Sequence, residues 1–163
     1  MPRGLENIIC YTHPQDPNPQ SLSGLRPVAV TPIPSLICED LVFEWAYNKI
    51  SNSLDIQQFG NIRATSTSYY LMSFLDFIHS HLDKRNTSLA VAFVHFRKGF
   101  DLVDHTVVIN KAIKLGLPPH LTEWLADFLT ERQAARYQNY TSSFQQLICG
   151  VPQGTKMGPL SFL

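Results

Sequence analysis

The feature that most constrains the fold is an almost continuous apolar run, SLAVAFV, at residues 88–94. Its length suits a strand better than a helix, and the absence of polar alternation is typical of a strand buried on both faces. A strand of that kind needs other elements packed above and below it. We therefore expect this run to lie inside a layered domain whose covering elements come from the rest of the chain.

Helical patterns supply those covering elements. Apolar residues recur at helical spacing over 39–54, from Ser66 or Thr67 to Lys84, over 104–115 and over 118–129, and a further helix begins near Lys156. Helix-capping residue types stand at several of the boundaries, with Asp104 and Pro118-Pro119 at starts and Gly116 at an end. The predicted inward faces are Leu41, Val42, Trp45, Ala46, Ile50 and Leu54 in the first helix, Tyr70, Leu71, Phe74, Leu75, Phe77, Ile78 and Leu82 in the second, and Leu121, Trp124, Leu125, Phe128 and Leu129 in the fourth.

Strand patterns are fewer. Residues 26–33 are interrupted by prolines, which limits them to an edge strand or an extended segment. Residues 133–139 and 144–149 are predicted to form a hairpin across residues 140–143, and residues 150–154 a turn. The proline-containing residues 1–24 are expected to be an irregular lead-in. The predicted fold class is α+β, rich in helix, with a small antiparallel sheet.

Composition excludes several classes of protein. The 13 basic and 13 acidic residues cancel, so the chain lacks the strong positive charge of an autonomous nucleic-acid binder. Its three cysteines are far apart and odd in number, which argues against a disulfide framework or a zinc cluster. The start is not a signal peptide, and no apolar stretch is long enough to span a bilayer. We expect an intracellular protein, cytoplasmic or nuclear, that is not secreted and has no membrane partner.

Four segments carry a resemblance. They are LRPVAVTP at 25–32, QFG at 58–60 followed by TST at 65–67, VHFRKGFDLVDH at 94–105, and GVPQGTKMGPL at 150–160. In this order they resemble the fingers and palm of the reverse transcriptases of non-LTR retrotransposons, especially the Jockey-like group, over about residues 17–163. The last two segments are similar to palm motifs A and B. The implied organisation is a lead-in at 1–24 and a partial reverse transcriptase domain, fingers and part of the palm of a right-hand polymerase, at 25–163.

The resemblance implies an RNA-directed DNA polymerase that binds an RNA template and a DNA primer and uses Mg²⁺. In that family Phe100 matches the aromatic sugar gate, and the residue matching Asp101 helps to shape the turn. Gln153 and Gly154 match the motif B turn near template and nucleotide, and Arg26, Gln58 and Arg63 match fingers positions near template or triphosphate. The alternatives are a core aromatic for Phe100, a simple turn before a helix for motif B, and exposed loop polarity for the fingers residues.

Motif A departs from the family at His95, which occupies the position of the metal-binding Asp. An imidazole is a poor magnesium ligand and carries no negative charge. The palm hairpin that pairs with the motif A strand and carries two adjacent Asp, motif C, is missing from these 163 residues, as is the thumb. We therefore expect no intact metal site, no bound cofactor and no polymerisation by this chain.

Three alternatives remain open beside an inactive polymerase. His95 could serve as a zinc ligand or general base, although no partner is visible in the sequence. The chain could be a non-catalytic remnant that binds nucleic acid, weakly at most, because it has no net charge. It could also be a fragment without function.

Overall fold

In a computed structural model of the protein, the described residues are 7–14, 25–96 and 98–162. They form two compact units. The first unit contains the described residues up to Ser53 together with those from Lys98 onward, and the second contains the described residues between Leu54 and Arg97.

The elements follow in chain order. They are β1 (Asn7–Pro14), β2 (Leu25–Val30), α1 (Ile33–Ile50), α2 (Thr67–Leu82), α3 (His105–Lys114), α4 (Pro119–Leu129), β3 (Arg132–Tyr137), β4 (Tyr140–Thr141), β5 (Gln145–Gln146) and α5 (Met157–Phe162). Short 3₁₀ turns lie at Ser51–Ser53 and Phe100–Leu102. Of these elements α2 alone belongs to the second unit. The α+β class is confirmed.

The five strands form one sheet with the order β2-β1-β3-β4, and β5 pairs with β3. β1 runs antiparallel to β2 but parallel to β3, so the prediction of an antiparallel sheet was wrong, and the sheet is mixed. β2 lies at the edge of the sheet, as its prolines predicted. The predicted hairpin is present in a tighter form, because β3 pairs Tyr137 with Tyr140 and the chain therefore turns at 138–139.

β1 lies inside the segment that was predicted to be an irregular lead-in, and for residues 7–14 that prediction was wrong. The strand forms because Ile8 and Cys10 pack with Ala29 of β2 in a buried cluster. The prolines of this segment do not prevent a strand, because Pro14 lies at its end. The rest of the predicted lead-in, 1–6 and 15–24, is outside the described residues.

α1 begins at Ile33, six residues before the predicted start, because Pro34 is accepted in the first helical turn, where no backbone N–H is required. Its inward face also differs from the prediction. Leu41 and Trp45 are 54% and 57% exposed, whereas Glu39, Val42, Ala46, Tyr47 and Ile50 are buried. Leu54 lies beyond the helix.

In the second unit, Ser66 caps α2 as predicted, its hydroxyl accepting a hydrogen bond from the Tyr69 N–H. No residue of α2 is buried, so the predicted inward face of this helix was wrong. Phe74 touches Tyr70 on one side and Phe93 on the other, with ring centroids 5.8 and 5.9 Å apart. The unit is therefore organised by aromatic contacts along an exposed helix.

The apolar run at 88–94 is not a strand. These residues have no regular secondary structure, and Phe93 and Val94 are 79% and 77% exposed. A strand requires a neighbour that supplies backbone hydrogen bonds, and no strand of the described residues pairs with this run. The prediction was wrong because apolar composition cannot provide a pairing partner.

Elements predicted from local patterns are confirmed near the C-terminus. Asp104 caps α3 by accepting hydrogen bonds from two backbone N–H groups, and Gly116 follows the helix with φ +79°. α4 starts at Pro119 and buries Leu121, Leu125, Phe128 and Leu129, while Trp124 is half-buried. α5 begins next to the predicted start at Lys156.

Candidate functional site

The motif A and motif B turns pack against each other within the first unit. We call residues 98–105 the motif A turn and residues 150–156 the motif B turn. The Gly150 N–H donates to the Val103 carbonyl (2.8 Å), and the Val151 N–H donates to the Phe100 carbonyl (2.9 Å). Nε2 of His105 donates to the carbonyl of Gly150 (2.7 Å). Backbone hydrogen bonds and the His105 side chain, 45 positions from Gly150, thus join the two segments.

Asp101 and Gln153 connect the side chains of the two turns. Nε2 of Gln153 donates to Oδ1 of Asp101 at 2.6 Å, and the Gln153 carbonyl accepts from the Ala29 N–H of β2 at 2.8 Å. Phe100 is half-buried, and its ring lies 4.9 Å from that of Phe162. Two of the predicted site residues, Phe100 and Gln153, are therefore brought to one cluster, and both turns contribute to a cavity of about 200 Å³.

Two glycines make this packing possible. Gly150 has φ +82°, and a Cβ there would lie 2.6 Å from the Asp101 carbonyl oxygen. Gly154 has φ +98°, and a Cβ there would lie 3.2 Å from the Ala29 carbonyl oxygen. Left-handed backbone favours glycine, and the close backbone approach excludes larger residues at Gly150. The predicted turn at 150–154 is confirmed.

Glu39 of α1 holds the start of α5 and was not predicted as a site residue. It is 2% exposed, and its Oε1 accepts a hydrogen bond from the Met157 N–H at 2.7 Å. The neighbouring Asp40 forms an ion pair with Lys156. Burial raises the pKa of Glu39, while backbone hydrogen bonds from Met157 and Lys156 act in the opposite direction. Its i, i+3, i+7 spacing with the buried Val42 and Ala46 was the signal in the sequence that could have found it.

Glu39→Gln is expected to change how stability depends on pH. The pKa of Glu39 is raised in the folded protein. Its contribution to the free energy of unfolding is therefore fully present below the pKa of an unfolded glutamate, and it is lost as the pH rises through the pKa of the folded state. A glutamine cannot ionise, and its Oε1 can still accept from Met157. Urea unfolding of both proteins should therefore show the variant gaining stability relative to the original as pH rises through this window.

The comparison with Glu39→Ala separates charge from hydrogen bonding. That variant leaves the buried Met157 N–H without its acceptor, which is expected to cost about 1–3 kcal/mol. A stability difference between Glu39→Gln and the original that does not change with pH would contradict the buried-charge explanation.

The remaining predicted site residues lie elsewhere in the chain. Arg26 occupies the position in β2 opposite His13 of β1. Gln58 and Arg63 belong to the second unit, where Nε2 of Gln58 donates to the Gly60 carbonyl at 2.9 Å and Arg63 is exposed. Gln58, Ser66 and Tyr70 line an open cavity of about 400 Å³ in that unit.

His95 also belongs to the second unit, where it is exposed in the irregular stretch after the apolar run. Across the described ranges, no three His, Cys, Asp or Glu side chains are grouped so that they could hold a metal ion. Asp101, the acidic residue of the motif A turn that follows His95 first in the sequence, has its carboxylate engaged by Gln153. An imidazole at His95 and a carboxylate already engaged at Asp101 do not match the set of oxygen ligands that magnesium prefers. In the part of the chain that the structure describes, no helix is long and apolar enough to cross a membrane.

The combination of a helix-rich α+β fold with joined motif A and motif B turns is that of a polymerase palm. The profile of the family described as "Reverse transcriptase (RNA-dependent DNA polymerase)" matches residues 17–163, and the chain belongs to this family. It is similar to the RNA-directed DNA polymerase from mobile element jockey of Drosophila melanogaster, with 27% identity over 154 residues. That alignment covers 93% of this chain but 17% of the jockey polymerase. The predicted relationship to non-LTR retrotransposon reverse transcriptases is confirmed.

Proposed function

We propose that the protein derives from the fingers and palm of an RNA-directed DNA polymerase of a non-LTR mobile element, with residues 25–163 as a partial reverse transcriptase domain. The reaction of that polymerase transfers a nucleotidyl group to a primer 3′-OH under the direction of an RNA template. The observation that carries the proposal is the Asp101–Gln153 hydrogen bond, which joins the motif A and motif B turns.

Within this proposal, the residues around the two turns would form one side of a nucleotide site. Phe100 is the sugar gate, and Gln153 and Gly154 lie near template and nucleotide. Two hydrogen bonds support this assignment: Asp101 accepts from the Gln153 side chain, and the Gln153 carbonyl accepts from the Ala29 N–H. Arg26, Gln58 and Arg63 keep their proposed roles near template or triphosphate on the strength of the motif match.

The chain itself is proposed not to polymerise. Magnesium prefers oxygen ligands, and His95 offers an imidazole at the position of the family's carboxylate. The reaction in the family uses Mg²⁺, which the imidazole of His95 does not suit. The proposed location is intracellular, cytoplasmic or nuclear, in keeping with three dispersed free cysteines.

The second candidate function is a non-catalytic nucleic-acid-binding remnant. The observation that favours this function is the local positive charge in the sheet of the first unit. This charge does not depend on the residue at position 95. Its five strands contain three arginines and no acidic residue, although the chain as a whole is neutral.

The test of the proposed inactivity is primer extension by the 163-residue chain. With a DNA primer annealed to an RNA template and Mg²⁺ present, we expect no extension by the original chain and none by His95→Asp alone. An active reverse transcriptase of the family serves as the positive control. Extension by the unmodified chain would show that His95 is not the defect and that the metal site lies elsewhere.

A further inference from the structure

Residues 84–89, with the sequence KRNTSL, form a basic stretch with two hydroxyl side chains, to which the polymerase resemblance assigns no role. Arg85 lies three positions before Ser88, and Leu89 follows Ser88 directly. The stretch belongs to the second unit and comes just after the end of α2 at Leu82. We call residues 84–89 the post-α2 segment.

The post-α2 segment is accessible to solvent. Residues 84–88 are all exposed, and Leu89 is half-buried. Asn86 has φ +59°, a left-handed conformation at the end of the turn that follows the helix. Residues 87–96 have no regular secondary structure, and no strand of the described residues pairs with them. The hydroxyl of Ser88 therefore lies on an exposed, irregular stretch that another protein can bind in an extended conformation.

The sequence contains one other hydroxyl residue three positions after an arginine, and it provides a comparison. Ser66 follows Arg63 at that spacing, but its Oγ accepts a hydrogen bond from the Tyr69 N–H at 3.2 Å and caps α2. Withdrawing an N-cap from a helix costs about 0.5–2 kcal/mol. Of the two hydroxyls at this spacing, Ser88 is therefore the one that can leave its place without cost to a helix.

The charge pattern around Ser88 is one that a partner with an acidic groove can recognise. A guanidinium makes bidentate, charge-assisted hydrogen bonds with carboxylates, and protein kinases select their substrates by charge patterns of this kind. Lys84 adds a second cation on the same side of the hydroxyl, and Leu89 offers an apolar contact on the other side. No acidic residue stands between Asp83 and Asp101, so a kinase that selects acidic sequences has nothing to recognise after Ser88.

We propose that Ser88 is a phosphorylation site for a serine/threonine kinase that recognises Arg85. Oγ of Ser88 attacks the γ-phosphorus of ATP, the bond from that phosphorus to the β,γ-bridging oxygen breaks, ADP leaves, and the catalytic aspartate of the kinase takes the hydroxyl proton. The phosphate adds a charge of about −1.5 to −2 at neutral pH. Residues 54–97 contain four basic and three acidic residues, so this charge reverses the sign of their net charge. The inference goes beyond the proposed polymerase function and needs no metal bound to this chain.

The test is incubation of the folded 163-residue chain with ATP that is radiolabelled on the γ-phosphate. The kinase is either cAMP-dependent protein kinase, which selects basic sequences, or casein kinase, which selects acidic ones. Mass spectrometry of the digested product then locates the phosphate. We expect incorporation with the first kinase alone, on Ser88, and its loss in Ser88→Ala. Arg85→Gln should lower the rate of incorporation by about tenfold or more, because the charged hydrogen bonds to the kinase are lost.

Two matched variants serve as controls. Thr87→Ala removes the adjacent hydroxyl, and Lys114→Gln removes an exposed cation of α3, and both should be phosphorylated at the rate of the original chain. All four substitutions change exposed positions, so the variants should fold, which circular dichroism checks. Phosphate on Thr87 or Ser66 in place of Ser88, no incorporation with the kinase that selects basic sequences, or a rate that Arg85→Gln leaves unchanged would overturn the proposal. Primer extension tests the polymerase proposal separately.

Discussion

A protein that combines His95→Asp with a family-like motif C hairpin and thumb joined after Leu163 is expected to extend a DNA primer on an RNA template with Mg²⁺. Each repair alone is expected to fail. His95→Asp supplies one carboxylate, but a two-metal site needs further anionic oxygen ligands to hold and align its ions. The graft alone supplies the motif C pair but leaves an imidazole where a carboxylate must bind.

The expected difference is large because groups that act as a unit do not contribute additively. We expect the double repair to exceed either single repair by on the order of 10⁴-fold or more in extension rate. The matched control joins the same graft to His95→Asn, which has the size of aspartate without its charge, and this protein should remain inactive. Polymerisation by the graft with His95 intact would show that motif A has been misaligned with the family.

Gly150→Ala is expected to cause a large loss of stability. The new Cβ would need space 2.6 Å from the Asp101 carbonyl oxygen, and the backbone there has φ +82°. A left-handed conformation costs an alanine about 1–2 kcal/mol, and overpacking against fixed backbone adds a further 1–3 kcal/mol or so. The displaced motif A turn would also lose its hydrogen bonds to Gly150 and Val151.

Gly116→Ala provides a control with nearly the same backbone conformation. Gly116 has φ +79°, but a Cβ there would meet nothing within 4 Å. Gly116→Ala should therefore lower the free energy of unfolding only by the cost of the left-handed backbone conformation, about 1–2 kcal/mol. The measurement is the free energy of unfolding in urea for the original chain and both variants. Equal losses for the two glycines would mean that the motif turns are not packed as closely as described.

Local signals in the sequence were sufficient for the elements whose boundaries depend on their own residues. Ser66 and Asp104 accept the hydrogen bonds that begin α2 and α3, and Pro119 opens α4. Capping is decided within one helical turn, so a single sequence contains the necessary information. The same reasoning explains why Gly116, Gly150 and Gly154, all with positive φ, stand where turns were expected.

Features that depend on distant partners were not predictable in this way. The run at 88–94 has strand composition but no pairing neighbour, whereas β1 has prolines nearby and still pairs with two strands. Glu39 is the first residue of the helix predicted over 39–54, but in the structure it is buried and accepts a hydrogen bond from the Met157 N–H, 118 positions away. Strand pairing and burial of this kind depend on tertiary contacts, which cannot be predicted from the periodicity of one segment.

The candidate site was predictable only through the resemblance. Motif similarity singled out Phe100 and Gln153, and the Asp101 carboxylate is the group that joins the two turns in which they lie. The roles of Phe100, Gln153, Gly154, His95 and the fingers residues remain predictions. Nothing in the spacing of Tyr11 and Arg136 indicated that they would be neighbours, since they meet only when β1 and β3 pair.

The parallel pairing of β1 with β3 has a kinetic consequence for a chain emerging from a ribosome. Tyr11 and Arg136 are separated by 125 positions, and at synthesis rates of about 5–20 residues per second the wait between them is roughly 6–25 s. β2 follows β1 closely, so the β1–β2 hairpin can form early, but the other edge of β1 stays open until β3 arrives. An open strand edge invites pairing with other chains. Nascent copies on neighbouring ribosomes therefore have a defined interval in which to associate through β1, and slowing translation lengthens that interval.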